Sequence, residues 1–235
     1  MAKPLLTRVT TGISGLDGLI QGGVVKKSIN LVAGGAGTGK TIFGIQFLLE
    51  GILKYKEPGI YITFEEKKKK TYEDMLEFGW DLAKLEKEGK FVYLEYTPEQ
   101  VKKVLVEGGG VIEVIIEKMQ AKRIVIDSIS SFALLYQDEL TKKEAALALF
   151  ELIDKWDCTA VLTSQDTSQD EGTITAALEF EVDGIILLYH VKKKGQRTRA
   201  LEILKMRGTK IPEKTMPMEI SPKGIRINPK GVVMF

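Results

Sequence analysis

Residues 34–41 read Gly34-Gly35-Ala36-Gly37-Thr38-Gly39-Lys40-Thr41, which fits the pattern G-x-x-x-x-G-K-[ST]. Glycines in such a loop let backbone N–H groups turn inward and approach a phosphate without an obstructing Cβ. Lys40 would contact the β- and γ-phosphates and assist catalysis, and the Thr41 hydroxyl would ligate Mg²⁺. We therefore predict that a triphosphate group and Mg²⁺ bind here; that the ligand is ATP is implied by a resemblance given below. The predicted cofactor-binding residues are Gly35, Ala36, Gly37, Thr38, Gly39, Lys40 and Thr41.

The segments on either side of this loop predict its place in the fold. Ser28–Ala33 has the composition of a buried strand, and Thr41–Lys54 carries apolar residues at helical spacing. Strand-like and helical segments then alternate as far as Tyr189, and short β-rich runs follow between Ala200 and Asn228. This order predicts an α/β fold: a mostly parallel central sheet flanked by helices, with an antiparallel β extension at the C-terminus.

The start of one long helix is predicted from a pair of capping residues. Thr141 and Glu144 have the spacing of a capping box, in which a hydroxyl accepts a backbone N–H of the first turn and a carboxylate reaches back to the cap. We therefore predict a helix that begins at Thr141 and runs to about Trp156.

The composition favours a single domain in a reducing compartment. The chain has 235 residues, of which 44% are hydrophobic and 28% charged, and this balance is unlike that of a disordered protein. We find no tandem repeat or low-complexity linker, so we interpret residues 1–235 as one domain. No apolar run approaches the ~18 residues of a membrane span, and the N-terminal residues lack a signal-peptide pattern. Together with the single cysteine, Cys158, this predicts a cytoplasmic protein without a membrane partner.

Two polar residues stand at the ends of further predicted strands, where ligands of parallel sheets bind. Asp127 ends the predicted strand Arg123–Asp127 and is the predicted metal residue beside Thr41, the arrangement known as Walker B. Gln165 follows the predicted strand Thr159–Ser164, and its amide would sense the γ-phosphate there. The net charge of +2 neither requires nor excludes a nucleic-acid partner.

A pair of adjacent carboxylates, Glu65 and Glu66, ends the second predicted strand. ATP hydrolysis needs a group that activates the attacking water beside the γ-phosphate, and a carboxylate can supply it. Because side chains alternate along an extended chain, only one of the two should face the nucleotide. We favour Glu65 as this catalytic group, and Glu66 stays open as the alternative.

Four segments outside the loop carry a family resemblance. Thr11–Asp17 followed by Gly22-Gly23 is similar to a segment shared by KaiC and archaeal RadA-type proteins, and Ile62–Glu66, Phe78–Leu82 and Leu201–Thr209 are similar to KaiC. With the loop and the polar strand ends, the chain resembles the RecA/RadA/KaiC branch of P-loop NTPases. It looks most like an archaeal single-domain KaiC-like protein, a group also classed as RadA paralogues. The resemblance implies a RecA-like P-loop NTPase fold and an Mg²⁺-dependent ATPase.

Further roles are implied by this resemblance, position by position. In KaiC the paired glutamates promote hydrolysis, and a K-x-R pair matching Lys205 and Arg207 reaches the nucleotide of the neighbouring subunit. Catalysis by Lys205 and Arg207 would then require a homo-oligomer. KaiC carries phosphorylated hydroxyls just before the position of Asp183, whereas residues 179–182 here have none, so an autokinase is disfavoured. The chain also lacks the N-terminal helical domain of archaeal RadA, which disfavours a strand-exchange filament.

The functional prediction is an ATPase that acts as a RadA paralogue on single-stranded DNA in recombination or repair. The candidate DNA contacts are the basic stretches Lys67–Lys70 and Lys192–Arg199, and a RadA-type recombinase is the candidate protein partner. The segment Asp166–Glu171, which would correspond to a DNA-binding loop, is acidic. The alternative is a nucleotide-gated regulatory protein of the KaiC signalling type, in which turnover is incidental.

Overall fold

The structure is a computed structural model that describes residues 6–107, 110–133, 136, 138–165, 181–193 and 195–234. Its strands are β1 (Arg8–Val9), β2 (Val24–Val25), β3 (Ile29–Gly34), β4 (Gly59–Thr63), β5 (Phe91–Glu95), β6 (Arg123–Asp127), β7 (Thr159–Ser164), β8 (Gly184–Lys193), β9 (Gln196–Met206), β10 (Met216–Ser221) and β11 (Gly224–Ile227). Its α-helices are α1 (Lys40–Glu50), α2 (Lys68–Leu76), α3 (Leu82–Lys87), α4 (Pro98–Glu107), α5 (Gly110–Met119), α6 (Ile129–Ala133) and α7 (Glu139–Lys155). A 3-10 turn spans Asp17–Ile20, and a π-helical turn, Gly51–Tyr55, extends α1.

Within these residues, nine strands form one sheet in the order β11-β10-β9-β8-β3-β7-β6-β4-β5. Strands β8, β3, β7, β6, β4 and β5 run parallel. Strands β9, β10 and β11 continue the sheet beyond β8 in antiparallel fashion. The predicted α/β fold and its C-terminal antiparallel extension are therefore confirmed. Strands β1 and β2 form a separate antiparallel pair.

The parallel part of the sheet is buried on both faces, as is typical of such sheets. Val32 of β3 packs into the core on the side of α1, whereas its neighbours Leu31 and Ala33 pack on the side of α5 and α7. Two-sided burial explains why the strands read as continuous apolar runs rather than as alternating ones. In the part of the chain that the structure describes, no helix has the length and apolar character needed to cross a bilayer.

The start of α7 differs from the sequence prediction. The helix begins at Glu139, and its N-cap is Asp138, whose carboxylate accepts the Thr141 N–H at 2.9 Å. Aspartate caps a helix at least as well as threonine, and its negative charge is favourable at the positive end of the helix dipole. The prediction that Thr141 opens this helix was wrong, because the stronger cap lies three residues earlier. The C-terminal end at Lys155 agrees with the prediction.

Candidate active site

The loop between β3 and α1 lies at the carboxyl edge of the parallel strands. Gly37 and Gly39 have φ angles of +72° and +105°, which favour glycine. A Cβ at Gly39 would lie 2.8 Å from the side chain of Ile220, so the available space also requires glycine. The Thr38 hydroxyl donates to the Gly35 carbonyl at 2.8 Å and tightens the turn. The loop thus has a glycine-dependent shape at the N-terminus of an eleven-residue helix, where anions bind favourably.

The Lys40 amine lies at the base of this loop. Its Nζ donates to the carbonyl oxygens of Gly34 at 2.6 Å and Gly35 at 3.0 Å. Burial lowers the pKa of Lys40, and the negative charges of Asp127 and Glu65 partly oppose that shift. Two carboxylates, one at the end of β6 and one just after β4, therefore act electrostatically on one lysine next to the predicted phosphate position.

Asp127, at the end of β6, faces the first turn of α1. The Thr41 hydroxyl donates to Asp127 Oδ2 at 2.7 Å, and the Asp127 residue is only 7% exposed. A threonine hydroxyl beside an aspartate carboxylate offers the oxygen ligands that Mg²⁺ prefers. The chemistry of these two side chains therefore fits a magnesium ion that is bound by Thr41 and, directly or through water, by Asp127.

Two further groups hold the Asp127 carboxylate, and sequence reasoning missed both. The Tyr61 hydroxyl of β4 donates to Asp127 Oδ2, and the Thr163 hydroxyl of β7 donates to Oδ1. Strands β4 and β7 flank β6, which brings these side chains to the carboxylate from both sides. The signal in the sequence was a hydroxyl near the end of each strand, but a buried Tyr or Thr in an apolar run also fits an ordinary core position.

Glu65 points into the site. The hydroxyls of Ser128 and Ser131 donate to its Oε1, the first at 3.0 Å, and Gln165 Nε2 donates to its Oε2 at 2.9 Å. Both carboxylate oxygens are therefore held by donors from the segments that follow β6 and β7. The predicted γ-phosphate sensor Gln165 thus contacts the favoured catalytic group directly. The segment after Gln165, which contains the acidic stretch 166–171, lies outside the described residues.

Glu66 pairs with a lysine of α2. Its carboxylate lies 3.9 Å from Lys70 Nζ and its side chain is 42% exposed. The Thr63 hydroxyl accepts the N–H groups of both Glu65 and Glu66, at 3.2 and 3.1 Å, and so turns the chain sharply after β4. The hydrogen bonds of the Glu65 carboxylate to Ser128 and Gln165, and its charge acting on Lys40, favour Glu65 over Glu66 as the group near the nucleotide.

A cavity of about 480 Å³ opens beside the loop. Arg199 of β9 reaches into it, and its Nε and Nη2 each donate to the Gly37 carbonyl at 3.2 Å. Ile42 of α1 and Ile220 of β10 supply apolar wall. The sequence predicts Arg199 only as part of a basic stretch that could contact DNA. Its position beside the loop results from the pairing of β9 with β8, which the sequence does not specify.

Arg207 lies at the opposite end of the sheet from the loop of its own chain, and Lys205 lies on β9 opposite Ile185, which pairs with Leu31 of β3. Arg207 Nη1 is 3.3 Å from Asp183 Oδ1, and Asp183 is hydrogen-bonded through its other carboxylate oxygen to the N–H of Ile29, the first residue of β3. The loop begins after the last residue of β3, about 17 Å further along the strand. Arg207 therefore does not reach the phosphate loop of its own chain, and its role in catalysis would require a second copy. Lys205 lies level with Leu31, about 10 Å before the end of β3.

The basic run Lys67–Lys70 is largely neutralised by neighbouring carboxylates. Lys67 lies 3.7 Å from Glu95, Lys68 lies 2.7 Å from Glu86, and Lys69 and Lys70 each lie 3.9 Å from a glutamate one helical turn away. These pairings reduce the attraction that the run would exert on a phosphate backbone.

The family model described as ATPase: KaiC matches residues 9–232. The chain belongs to the KaiC family of ATPases. A UPF0273 protein of Methanocaldococcus jannaschii is 35% identical, over 97% of this chain and 99% of that protein. The circadian clock oscillator protein KaiC of Synechococcus elongatus is also 35% identical, over 97% of this chain but 45% of that protein.

A solved structure extends the comparison to the fold. The crystal structure of the KaiC-like protein PH0186 from Pyrococcus horikoshii superposes with a TM-score of 0.85 at 36% identity, covering 95% of this chain and 100% of that chain. The RecA-like fold and the resemblance to single-domain KaiC-like proteins are thereby confirmed. None of these three relatives is named for RadA or DNA, so that part of the functional prediction stays a prediction.

Proposed function

We propose that this KaiC-family protein binds ATP with Mg²⁺ on residues 35–41 and hydrolyses it. The proposal rests on one observation: the carboxylates of Asp127 and Glu65 both lie close enough to the Lys40 amine to affect its charge. Asp127 is hydrogen-bonded to Thr41, Glu65 is hydrogen-bonded to Gln165, and the charges of both carboxylates act on the Lys40 amine. Phosphoryl transfer to water requires a metal-holding carboxylate, a phosphate-binding cation and a group that activates water, and this site offers all three.

The cavity beside the loop has the two kinds of surface that a nucleotide needs. The loop N–H groups and Lys40 would hold the triphosphate, and Arg199 adds a second cation at the rim. The apolar side chains of Ile42 and Ile220 would contact the base. A volume of about 480 Å³ is in the usual range for small-molecule sites.

The proposed reaction assigns a role to each polar side chain. Glu65 accepts a proton from water as the water oxygen bonds to the γ-phosphorus and the bond to the β–γ bridging oxygen breaks, which leaves ADP and phosphate. Lys40 stabilises the negative charge that develops on the leaving oxygen. Gln165 keeps the Glu65 carboxylate in place. When bound, Mg²⁺ would neutralise charge on the β- and γ-phosphates.

Arg199→Gln should weaken ATP binding by roughly 10-fold, because a charge-assisted hydrogen bond is worth about 1.5–3 kcal/mol. The guanidinium both supports the Gly37 carbonyl and adds positive charge beside the phosphates. Titration with a fluorescent ATP analogue measures the change. Arg197→Gln is the matched control, since Arg197 lies two residues earlier on the same strand and is exposed. Unchanged or tighter binding by Arg199→Gln would contradict this assignment.

Full activity is proposed to need a homo-oligomer in which Lys205 and Arg207 of one copy complete the site of the next. Within one chain, Arg207 lies about 17 Å and Lys205 about 10 Å from their own loop along the sheet direction. The family resemblance supplies the positive support. A cation that arrives across an interface would stabilise the transferring phosphoryl group.

Arg207→Ala should reduce turnover by roughly 100-fold while ATP affinity stays within a few-fold of the wild type. Mixing this variant with Glu65→Gln should restore activity, because a site with intact Glu65 can then receive Arg207 from its neighbour. At equal amounts and random assembly, about a quarter of the sites should be intact. Arg226→Ala, a second exposed arginine that lies 3.7 Å from a carboxylate, is the control. Absence of rescue at every mixing ratio would refute the trans arrangement.

Phosphate release tests the proposed function directly. The full chain is assayed with ATP and Mg²⁺, with ATP and EDTA, and with added single-stranded DNA, and light scattering reports assembly in the same samples. We expect Mg²⁺-dependent release of phosphate and particles larger than one chain. A protein that neither binds nor hydrolyses millimolar ATP would contradict the proposal.

A second candidate is a nucleotide-gated regulatory protein in which turnover is incidental. It is favoured by the 35% identity to a protein named as a circadian clock oscillator and by the contact of Arg199 with the loop, through which a nucleotide could act on the β8–β9 hairpin. A role on single-stranded DNA or with a RadA-type recombinase remains a prediction of the resemblance. Stimulation of phosphate release by single-stranded DNA would support that role.

A further inference from the structure

The Asp127 carboxylate is held by three hydroxyls from three different elements. Thr41 of α1 and Tyr61 of β4 both donate to Oδ2, while Thr163 of β7 donates to Oδ1. Thr41 is also the residue that would ligate the metal ion, so its oxygen serves two partners. Tyr61 differs from Thr41, because its side chain is fully buried at 0% exposure and its hydroxyl donates to the Asp127 carboxylate from within the core.

The ring of Tyr61 is fixed by its neighbours. Tyr93 lies directly opposite Tyr61 in the pairing of β4 with β5, and the two rings stack with centroids 5.1 Å apart and planes 20° apart. Tyr72 of α2 packs edge-on against Tyr93, with centroids 5.6 Å apart. A side chain whose rotamer is fixed by packing orients its hydrogen bond more accurately than an exposed side chain does.

The phenol of Tyr61 acts as a permanent donor to the carboxylate. A tyrosine hydroxyl carries its proton at neutral pH, and that of Tyr61 lies within hydrogen-bond distance of Asp127 Oδ2. A phenol that stays protonated beside a carboxylate donates its hydrogen rather than competing for one.

We propose that Tyr61 is a positioning residue for the metal ion of the bound nucleotide: its hydroxyl fixes the Asp127 carboxylate in the orientation that supports the ion. The inference rests on the proposed ATP and Mg²⁺ site and deepens it. With Tyr61 in place, Oδ2 is held between two donors and the carboxylate plane is set. Without it, the terminal torsion of Asp127, which is intrinsically broad, is restrained on that oxygen by Thr41 alone.

The metal dependence of nucleotide binding tests the inference without using turnover. In Tyr61→Phe, the concentration of Mg²⁺ or Mn²⁺ that half-saturates the binding of a fluorescent ATP analogue should rise roughly 10-fold, as is usual when a group that orients a metal ligand is removed. Affinity for the analogue in EDTA should stay within about two-fold, because the Tyr61 hydroxyl donates to Asp127 and not to the N–H groups that would bind phosphate. Circular dichroism melting in EDTA reports any loss of stability separately.

Tyr72→Phe is the matched control. It removes one tyrosine hydroxyl from the same group of packed rings, but that hydroxyl donates to Glu86 at 3.0 Å and not to Asp127. We expect its metal dependence to equal that of the wild type. A measurement independent of any variant uses wild-type protein with tyrosine labelled at the ring carbon that bears the hydroxyl: one resonance should move when Mg²⁺ is added to the nucleotide complex.

The outcomes of these experiments distinguish a failure of the Tyr61 role from a failure of the proposed metal site. An unchanged half-saturating concentration in Tyr61→Phe, an equal shift in Tyr72→Phe, or unmoved tyrosine resonances in the wild type would overturn the role of Tyr61. If the wild type binds the analogue equally well with Mg²⁺ and with EDTA, the proposed metal site itself fails, and the positioning role fails with it. A 10-fold shift confined to Tyr61→Phe supports both.

Discussion

Lys40→Ala should weaken ATP binding by roughly 1,000-fold, because two or more charge-assisted hydrogen bonds to phosphate are lost and each is worth about 1.5–3 kcal/mol. The amine lies at the base of the loop, where its contacts with the Gly34 and Gly35 carbonyls show that it can reach the loop interior. Titration with a fluorescent ATP analogue gives the dissociation constant. A change of less than about ten-fold would contradict the phosphate-binding role of Lys40.

A thermal-shift series separates lost binding from lost folding. A ligand at 100 times its dissociation constant stabilises a protein by about 2.7 kcal/mol, so ATP should raise the melting temperature of the wild type but not that of Lys40→Ala. Lys54→Ala is the control: Lys54 is 66% exposed, forms an ion pair with Glu50 at 2.9 Å and lies at the far end of the same helical segment. We expect it to keep the full ATP shift.

The strands and the helix around the loop could be predicted from the sequence, because their local composition agrees with their buried place in the fold. The predicted strands at Arg123–Asp127 and Thr159–Ser164 match β6 and β7 residue for residue. Each is a short run of β-branched and apolar residues that is buried on both faces and ends in a polar group. The glycine pattern then fixes which strand precedes the loop and which helix follows it.

The site residues that escaped prediction depend on strand order, which a single sequence does not contain. Tyr61 and Thr163 meet Asp127 only because β4 and β7 lie on either side of β6. Arg199 meets the loop only because β9 pairs antiparallel with β8, which brings its first residues to the carboxyl edge. The same pairing places Arg207 at the other edge of the sheet. Arg207 could therefore contact only the nucleotide that is bound to a neighbouring copy of the chain.

Glu65→Gln should reduce ATP turnover by roughly 1,000-fold with ATP affinity nearly unchanged, since general-base catalysis typically contributes between 100- and 10,000-fold. Glutamine has nearly the same shape and keeps an oxygen that can accept from Ser128, but it cannot take a proton from water. Phosphate release at saturating ATP measures turnover, and the fluorescent analogue measures affinity.

Glu66→Gln is the control that decides between the two carboxylates. Glu66 is 42% exposed and lies 3.9 Å from Lys70, so its neutralisation should change turnover by less than about three-fold, as expected for an exposed ion pair. The reverse result, with Glu66→Gln inactive and Glu65→Gln active, would mean that the turn after β4 rearranges when nucleotide binds. If both variants kept wild-type turnover, neither carboxylate would be the base. A biological function that survives in Glu65→Gln despite lost turnover would favour the nucleotide-gated regulator, because binding alone would then be sufficient.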